Sequence, residues 1–247
     1  MATVDVVIPV LNEERALPPC IERLGAFLGG SLPDHDWKIV IADNGSTDGT
    51  LEVCKRFAVE RPNDVGYVHL DQRGRGLALR KAWLESEADI VCYMDVDLST
   101  GLDALPTMVN AIANDGVHVA FGSRLKRGAR TRRSVKREVI SRAYNTVIRA
   151  TMWTRFEDAQ CGFKALSHGA AQALVPKVVN NHWFFDTELL VIAEKSGFRM
   201  LEVPVTWDED ADTRVKIINT AVEDLRGLAR LRLRGIPKVT PPTGLRE

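Results

Sequence analysis

Several features that would place a chain in a common class of protein are missing from this 247-residue sequence. Lys and Arg together number 33, and so do Asp and Glu, so the whole molecule gives no electrostatic reason to expect nucleic-acid binding. No apolar stretch approaches the roughly 20 residues that a membrane-spanning helix needs. The first residues also lack the charged and apolar regions of a signal peptide. We therefore expect a cytoplasmic protein that does not span a membrane.

Cysteine is scarce, and its positions exclude two further classes of protein. The four cysteines, Cys20, Cys54, Cys92 and Cys161, have neither the spacing of a zinc site nor the density of a disulfide-rich secreted domain. We expect them to be reduced and mostly buried. A Gly-x-Gly-x-x-Gly motif is also missing after the first predicted strand. Gly74-Arg75-Gly76 follows only the third strand, which is weak evidence for dinucleotide binding.

The first half of the sequence alternates short apolar runs with amphipathic stretches. The runs typical of strands cover residues 4–10, 37–42, 65–70, 90–94 and 117–122. This alternation predicts an α/β fold with a mostly parallel, Rossmann-like sheet flanked by helices. Asn12 to Glu14 are predicted to open the first helix, and Thr47 or Asp48 to cap the second.

The second half is less regular than the first. Apolar spacing predicts a helix at 139–151, a helix that runs to residue 192 and a last helix at 215–234. Short strands are predicted after the loop that begins at Asp158 and at 201–205. The sequence has no internal repeat and no stretch typical of an interdomain linker.

Two carboxylates one residue apart, Asp95 and Asp97, follow the apolar run at 90–94. The carboxyl ends of parallel strands form the edge where α/β sheets bind ligands. Neighbouring carboxylates repel each other, and burying them is costly unless a cation lies between them. Hard oxygen ligands suit Mg²⁺ or Mn²⁺, which also bind substrate phosphates. Alternatively, both aspartates lie in a solvated turn and face water.

Charge is unevenly distributed along the chain. Residues 124–142 contain nine Lys or Arg residues and the single acid Glu138, whereas residues 208–212 contain four acids. Nine cations repel one another unless something anionic gathers them, so we interpret the basic segment as an anion-binding region. The alternative is a solvated, flexible loop.

Several separate motifs match one family. Residues 7–13 (Val-Ile-Pro-Val-Leu-Asn-Glu), residues 43–50 (Asp-Asn-Gly-Ser-Thr-Asp-Gly-Thr) and Asp95-Val96-Asp97 resemble the inverting family 2 glycosyltransferases of GT-A fold. Residues 122–124, 158–164, 185–190 and 202–207 look like the dolichyl-phosphate (polyprenyl-phosphate) hexose synthases, and residues 158–164 are closer to the glucosyltransferases than to the mannose synthases. The resemblance covers about residues 4–234.

The resemblance implies a site for the sugar donor at the edge of the sheet. It assigns donor contacts to Pro9, Leu11, Glu13, Asp43, Gly76, Asp95, Val96, Asp97 and Arg214. Asp95 and Asp97 would hold Mg²⁺ or Mn²⁺ on the diphosphate. Two positions depart from the family: Leu11 replaces a frequent aromatic residue, and Ser99 replaces an amide that can join the metal shell. Alternatively, Gly74 and Gly76 form a tight surface turn, and Arg214 pairs with the acids at 208–212.

The resemblance also implies how the acceptor is bound. Arg124, Arg137 and Ser141 would grip the acceptor phosphate, and Arg137 and Ser141 are spaced one helical turn apart. Asp186 is the third residue with an expected catalytic role. It could be a general base, it could orient Arg or Lys side chains, or it could cap the helix that follows.

These expectations combine into one functional prediction with two alternatives. The chain is predicted to move a hexose from a nucleotide sugar (UDP-glucose or GDP-mannose type) to a polyprenyl phosphate with inversion. The first alternative keeps the fold but uses a sugar or small-molecule hydroxyl as acceptor, with Asp186 as base. The second is a non-catalytic protein that binds nucleotide sugars.

We expect three segments, with a catalytic domain at 1–214. A basic amphipathic helix would follow at 215–238, and a disordered tail at 239–247. Arg230, Arg232 and Arg234, with apolar neighbours at 231–236, predict peripheral contact with the cytoplasmic face of a membrane. Alternatively, this helix packs on the catalytic domain, and a separate membrane protein recruits the enzyme.

Overall fold

The computed structural model describes residues 1–208 and 217–245, without the side chains of residues 217–219. The strands are β1 (Thr3–Val10), β2 (Asp36–Asn44), β3 (Val65–Leu70), β4 (Ile90–Met94), β5 (Val119–Ser123), β6 (Arg130–Arg132), β7 (Phe163–Ser167), β8 (Met200–Pro204) and β9 (Thr206–Asp208). The helices are α1 (Leu17–Ser31), α2 (Thr50–Glu60), α3 (Arg75–Glu85), α4 (Leu105–Asp115), α5 (Val135–Met152), α6 (His168–Leu174), α7 (Phe185–Lys195) and α8 (Ile217–Arg234).

A seven-stranded sheet in the order β3-β2-β1-β4-β7-β5-β8 forms the centre of the domain. All neighbours pair in parallel except β7, which lies between β4 and β5 and is antiparallel to both. The predicted mostly parallel α/β fold is therefore confirmed. A second, two-stranded parallel sheet joins β6 to β9. Every residue of β4, β5 and β7 is buried, as expected of strands covered by helices on both faces.

Alternating side chains of the central strands build one apolar cluster on each face of the sheet. Val6 and Ile8 of β1 point into the cluster covered by α1, α2 and α4. Val7 points into the opposite cluster, which α3, α5, α6, α7 and α8 cover. Because apolar side chains are buried on both faces, the central strands read as the continuous apolar runs that predicted them.

Two helix starts differ from the prediction. The first helix begins at Leu17 and not at Asn12, because the segment between them is held in a loop by residues that follow β2. Prolines occupy the first turn of α1, where the lost N–H has no partner within the helix. Gly49 is the N-cap of α2, and Asp48 instead accepts hydrogen bonds from the N–H and hydroxyl of Thr50.

The helix α8 packs on the domain, as in the alternative considered for it. Leu228 and Leu231 are buried in the second cluster, and Ile236 packs partly against it. A Cβ added to Gly227 would lie 2.3 Å from the Phe184 ring, so the helix approaches the domain closely at this glycine. Arg230 donates to the buried Glu188 at 2.7 Å. Leu231 and Arg230 are therefore committed to the fold and cannot serve the membrane contact predicted for them.

The segment after α8 has no regular secondary structure over residues 235–245, but it lies on the domain. The Val239 N–H donates to Ser196 Oγ at 3.1 Å, and the Leu245 carbonyl accepts from the Gly169 N–H at 2.8 Å. Both side chains pack on the apolar clusters. The described part of this segment thus differs from the disordered tail expected from residue 239. Among the described helices, none is both long and apolar enough to cross a bilayer.

Candidate active site

The carboxyl ends of β1, β2 and β4 place several predicted site residues at one edge of the sheet. Pro9 and Val10 pair in register with Ala42 and Asp43 of β2, and β1 is also the parallel neighbour of β4. Parallel strands end on the same side, so Asp43, Leu11 and Asp95 follow one another in this order along the edge. This is the edge at which open α/β sheets bind ligands.

Asp43 lies buried at the end of β2, beside a histidine that sequence reasoning missed. His69 is its register partner on β3, and His69 Nδ1 lies 2.6 Å from Asp43 Oδ2. The Ser46 N–H donates to the other oxygen, Asp43 Oδ1, at 3.3 Å. The carboxylate is therefore held from two sides before any ligand arrives.

The loop after β1 and the loop after β2 are bound to each other. Asn12 has a φ of 57°, a left-handed conformation that Asn tolerates better than most residues. Its Oδ1 accepts from the Thr47 N–H at 2.8 Å, and its own N–H donates to Ser46 Oγ at 2.9 Å. The Glu13 N–H donates to Thr50 Oγ1 at 2.8 Å. These bonds fix the half-buried Leu11 and Glu13 at the edge of the sheet.

Asp95 and Asp97 lie in a tight turn directly after β4. Asp95 is half-exposed and Asp97 is exposed, so both reach the solvent side of the edge. The Leu98 N–H donates to the Asp95 carbonyl at 3.1 Å, and the Ser99 N–H donates to Asp97 Oδ1 at 2.9 Å. Leu98 has a φ of 49°, a strained conformation for a bulky residue that costs about 1–3 kcal/mol. The fold thus maintains this turn against a local preference.

Gly162, just before β7, leaves the space that the Asp95 carboxylate fills. A Cβ added to this glycine would lie 1.9 Å from Asp95 Oδ2. Because β7 is the antiparallel neighbour of β4, its first residues come up beside the end of β4. Any side chain at this position would move Asp95, so the glycine is required for the carboxylate to sit where it does.

Arg75, at the start of α3, joins two of the predicted catalytic carboxylates. Its guanidinium donates to Asp95 Oδ1 at 2.9 Å and to Asp186 Oδ2 at 2.8 Å. The same guanidinium lies 4.9 Å from the centre of the Tyr93 ring and 5.1 Å from that of Trp183. Sequence reasoning missed Arg75; its position between two glycines, in the loop that joins a strand to a helix, was the signal that could have revealed it.

Asp186 lies almost fully buried in the first turn of α7, where two cations and a hydroxyl surround it. Lys164 Nζ lies 3.0 Å from Asp186 Oδ1, and the Tyr93 hydroxyl donates to the same oxygen at 2.5 Å. Burial alone would raise the pKa of Asp186, but Lys164 and Arg75 outweigh it and lower the pKa below its ordinary value. The N-cap of α7 is Phe184, so Asp186 does not cap this helix. Its carboxylate stays ionised and holds side chains in place.

Lys164 is itself completely buried in β7. Besides Asp186, its ammonium has the Cys161 carbonyl as an acceptor at 2.8 Å. A charged side chain inside an otherwise apolar strand was the sequence signal for this residue, because a buried lysine needs an anionic partner.

Arg124 is tied to a carboxylate of its own chain. Its Nε and Nη2 donate to the two oxygens of the buried Asp158 at 2.8 and 2.9 Å, a bidentate pair. Burial by itself would raise the pKa of Asp158, but Arg124 lowers it. Arg137 and Ser141 lie one turn apart on α5, both half-buried. Arg137 and Ser141 therefore lie close to each other, as predicted from their spacing, whereas Arg124 forms an ion pair with Asp158. Arg214 lies outside the described residues.

The glycines of the Gly74-Arg75-Gly76 loop serve internal packing. A Cβ on Gly76 would lie 2.7 Å from Phe185 Cβ, so this glycine lets α3 pack against α7. A Cβ on Gly74 would lie 2.8 Å from the Asn181 carbonyl, and the Gly74 N–H donates to Asn44 Oδ1 at 2.6 Å. The surface-turn alternative is wrong, because both glycines are buried, whereas the donor contact of Gly76 stays a prediction.

The two carboxylates after β4 fit a divalent ion by their chemistry. They supply hard oxygen atoms at an accessible edge, which suits Mg²⁺ and Mn²⁺. No group of three or more His, Cys, Asp or Glu side chains within the described part of the chain could hold a metal ion. An ion here would therefore take its remaining ligands from water and from a bound phosphate, as Mg²⁺ commonly does.

Known proteins resemble this chain in sequence and in structure. The family model described as "Glycosyl transferase family 2" matches residues 5–175. Glycosyltransferase AglD of Haloferax volcanii is 37% identical over 94% of this chain, which corresponds to 36% of that protein. The dolichyl-phosphate beta-glucosyltransferase of Saccharomyces cerevisiae is 25% identical over 92% of this chain and 73% of its own length. A dolichyl-phosphate beta-glucosyltransferase of Trichomonas vaginalis, ALG5C, is 27% identical over 85% of this chain and 65% of its own length.

Among solved structures, glucosyl-3-phosphoglycerate synthase of Mycobacterium tuberculosis matches with a TM-score of 0.66 and 20% identity, over 96% of this chain and 82% of that one. This likeness establishes the fold, and the GT-A expectation is confirmed. The family model covers well over half of the sequence and includes the edge that carries Asp43 and Asp95. The chain belongs to glycosyl transferase family 2.

Proposed function

We propose that this chain transfers a hexose from a nucleotide sugar to a polyprenyl phosphate of the dolichyl type, with inversion at the anomeric carbon. The related dolichyl-phosphate beta-glucosyltransferases support a dolichyl-phosphate acceptor and favour glucose as the sugar. The phosphate oxygen of the lipid attacks the anomeric carbon in line, the bond from that carbon to the nucleoside diphosphate breaks, and the diphosphate takes the electron pair.

The observation that carries the proposal is the pairing of Asp186 with Lys164 and Arg75. A hydroxyl acceptor needs a general base near its oxygen. A phosphate monoester, with a second pKa of about 6, is already largely dianionic at neutral pH and needs none. Asp186 has a lowered pKa and is saturated by cationic and hydroxyl donors, so it is poorly suited to accept a proton. The site therefore favours a phosphate acceptor over a sugar or small-molecule hydroxyl.

On the donor side, Asp95 and Asp97 would hold the divalent ion. When bound, the ion would neutralise charge that develops on the leaving diphosphate. Solved structures of the mycobacterial synthase contain Mn²⁺ with UDP, which supports a divalent ion here without deciding between Mg²⁺ and Mn²⁺. Arg75 holds Asp95 from the protein side, so the carboxylate is oriented before the donor binds. Asp43, held by His69, lies at the same edge at the end of β2, with β1 between it and β4, and would contact the nucleoside.

The acceptor phosphate would be bound by Arg137 and Ser141 of α5. Arg124, through Asp158, supports this region indirectly. The Asp158 segment lies against α5, because the Ala159 N–H donates to Asn145 Oδ1 at 2.9 Å. Arg124 therefore fixes the wall beside α5 while Arg137 remains the candidate phosphate ligand.

The acceptor lipid resides in a bilayer, so the enzyme must work at a membrane surface. We place it peripherally on the cytoplasmic face, where nucleotide sugars would reach the edge of the sheet from solution. A separate membrane protein that recruits the chain is the alternative.

One experiment tests the transfer reaction. The purified chain is incubated with a panel of radiolabelled nucleotide sugars, a divalent ion and polyprenyl phosphate, and the products are extracted into organic solvent. The proposal expects label in the organic phase with a UDP-glucose or GDP-mannose donor. If label stays in the aqueous phase with every donor, the lipid acceptor is wrong. If donors bind but none is consumed with any acceptor, the chain is a nucleotide-sugar-binding protein.

A further inference from the structure

The helices α5 and α8 lie side by side on the second apolar cluster and run in the same direction. Tyr144 of α5 lies beside Asp224 of α8, and about two turns further along both helices the Arg232 guanidinium lies 4.5 Å from the centre of the Trp153 ring. Ile148 and Met152 of α5 enter the same cluster as Leu228 and Leu231 of α8. The two helices thus turn their inner faces toward the same core, and their outer faces point away from it on the same side of the molecule.

The outer face of each helix carries a stripe of apolar side chains that the protein core does not bury. On α5 the stripe consists of Val135, Val139, Ala143, Val147 and Ala150, and on α8 of Val222, Leu225, Ala229 and Leu233. Their spacing of three or four residues keeps each stripe on one side of its helix. Leu233 is 85% exposed, Leu225 57%, Val135 80% and Val139 60%. Apolar side chains gathered in this way on a surface mark a contact site.

The charges around the stripes are of one sign. The exposed basic residues of the two helices are Lys136, Arg142, Arg149, Arg226, Arg232 and Arg234. Over the described side chains of both helices there is no exposed acid: Glu138 is half-buried and bound by Arg133 and Arg142, Glu223 accepts from Asn180, and Asp224 is buried. A second copy placed on this face would bring like charges together, which disfavours a symmetric dimer here. Anionic lipid headgroups would complement it.

We propose that the paired outer faces of α5 and α8 form a surface that docks on an anionic lipid bilayer. The apolar stripes enter the headgroup region, and the basic side chains contact the lipid phosphates. Trp153, exposed beneath the Arg232 guanidinium, lies at the end of this surface, and tryptophan is enriched at membrane interfaces. The docking proposal depends on the proposed function only for the identity of the lipid substrate. Arg137 and Ser141 also lie on α5, but on its half-buried side and not among the exposed stripe.

The docking surface is tested by sedimentation of the full chain with vesicles made of equal parts phosphatidylcholine and phosphatidylglycerol, at low and high salt. One variant changes α8 (Leu225→Glu with Leu233→Glu) and the other changes α5 (Val135→Glu with Val139→Glu). Each should bind the vesicles at least about tenfold more weakly than the wild type. The matched control, Val59→Glu with Tyr67→Glu, makes the same charge change at exposed apolar residues far from α5 and α8 and should bind like the wild type. High salt, or vesicles of phosphatidylcholine alone, should release the wild type.

Several results would overturn this surface. If both double variants sediment like the wild type, the surface is wrong. If only one loses binding, the two helices do not act as one face. Equal binding to neutral vesicles would remove the role of the basic residues. A wild-type dimer in analytical ultracentrifugation that the α8 variant dissociates would assign the face to a second copy. If a glutamate variant fails to fold, Arg226→Glu with Arg234→Glu leaves the stripes intact and should still weaken binding.

Transfer to a water-soluble, short-chain isoprenyl phosphate separates this surface from the proposed function. The α8 variant should keep wild-type transfer to the soluble acceptor and lose transfer to long-chain acceptor in vesicles. If the wild type binds vesicles through this face yet transfers to neither acceptor, the docking surface stands and the proposed function fails.

Discussion

Replacing Asp186 with Asn would test whether this carboxylate is the structural anion of the site. The substitution keeps the shape of the side chain and removes its charge. Lys164, which is completely buried, would then lose its anionic partner and keep neutral acceptors, the Cys161 carbonyl at 2.8 Å and the Tyr93 hydroxyl at 3.4 Å. Breaking a buried ion pair by removing one partner costs about 3–5 kcal/mol, because the other charge is left without compensation. Domains are typically stable by only about 5–15 kcal/mol, so this is a large loss.

For a domain of this size, each kcal/mol lowers the melting temperature by about 2–4 °C, so Asp186→Asn should melt about 6–20 °C below the wild type. Lys164→Met should cost less, because Asp186 keeps Arg75 at 2.8 Å and the Tyr93 hydroxyl at 2.5 Å. The double variant removes both charges and places an apolar side chain in a buried strand. It should therefore be more stable than Asp186→Asn alone, with a coupling of about 1–3 kcal/mol.

Urea unfolding of the wild type, both single variants and the double variant provides the thermodynamic cycle. Asp34→Asn, at an exposed position, is the matched control and should stay within about 0.5 kcal/mol of the wild type. If Asp186→Asn loses less than about 1 kcal/mol, or if the two single losses simply add, Lys164 and Asp186 are not coupled as the structure indicates. In that case the carboxylate would be free to act as a base, and the preference for a phosphate acceptor would lose its main support.

Four further predictions follow from the site. Asp97→Ala should abolish transfer and leave the melting temperature unchanged, because an exposed carboxylate contributes little to packing; transfer that persists at full rate in a chelator would contradict the ion. Gly162→Ala should displace Asp95, whose carboxylate lies 1.9 Å from the added Cβ, and should reduce turnover; wild-type turnover would place Asp95 outside the reaction. Arg137→Ala should raise the KM for polyprenyl phosphate by about 10–150-fold, as expected from a lost charge-assisted contact of about 1.5–3 kcal/mol, and leave the KM for the donor unchanged; an equal effect on both would assign Arg137 to the wrong substrate. Burial raises the pKa of Asp224 from 3.8 to about 7, so the folded chain keeps a proton that the unfolded chain has lost, and stability should fall as the pH rises from about 4 to about 7. Asp224→Asn should flatten this fall in urea unfolding across that pH range, and an unchanged slope would contradict the assignment.

The strand pattern and the Asp-x-Asp motif could be predicted from the sequence because both are local. Side chains on a strand alternate between its two faces, and in a covered sheet both faces are apolar. The apolar runs of the first half therefore showed where each strand begins and ends. Asp95 and Asp97 follow such a run directly, and parallel strands end at a common edge. These two facts place both carboxylates at the same edge of the sheet as Asp43, whereas the order of the strands, with β1 between β2 and β4, came only from the structure.

The partners of Asp186 depended on the tertiary structure. Arg75 is 111 residues away in the chain, and the two meet only because α3 and α7 pack against each other at Gly76 and Phe185. The insertion of β7 between β4 and β5, antiparallel to both, was not readable from its apolar pattern. That insertion brings Lys164 beside the end of β4.

The two faces of α8 were also decided by the tertiary structure. Hydrophobic periodicity showed that α8 is amphipathic, but an apolar side chain looks the same in a sequence whether it meets a protein core or a membrane. The structure buries Leu231 and pairs Arg230 with Glu188, whereas Leu225 and Leu233 remain on the surface. Periodicity reports which residues share a face of a helix. What that face meets depends on contacts between segments far apart in the chain, and those contacts exist only once the sheet and its covering helices have assembled.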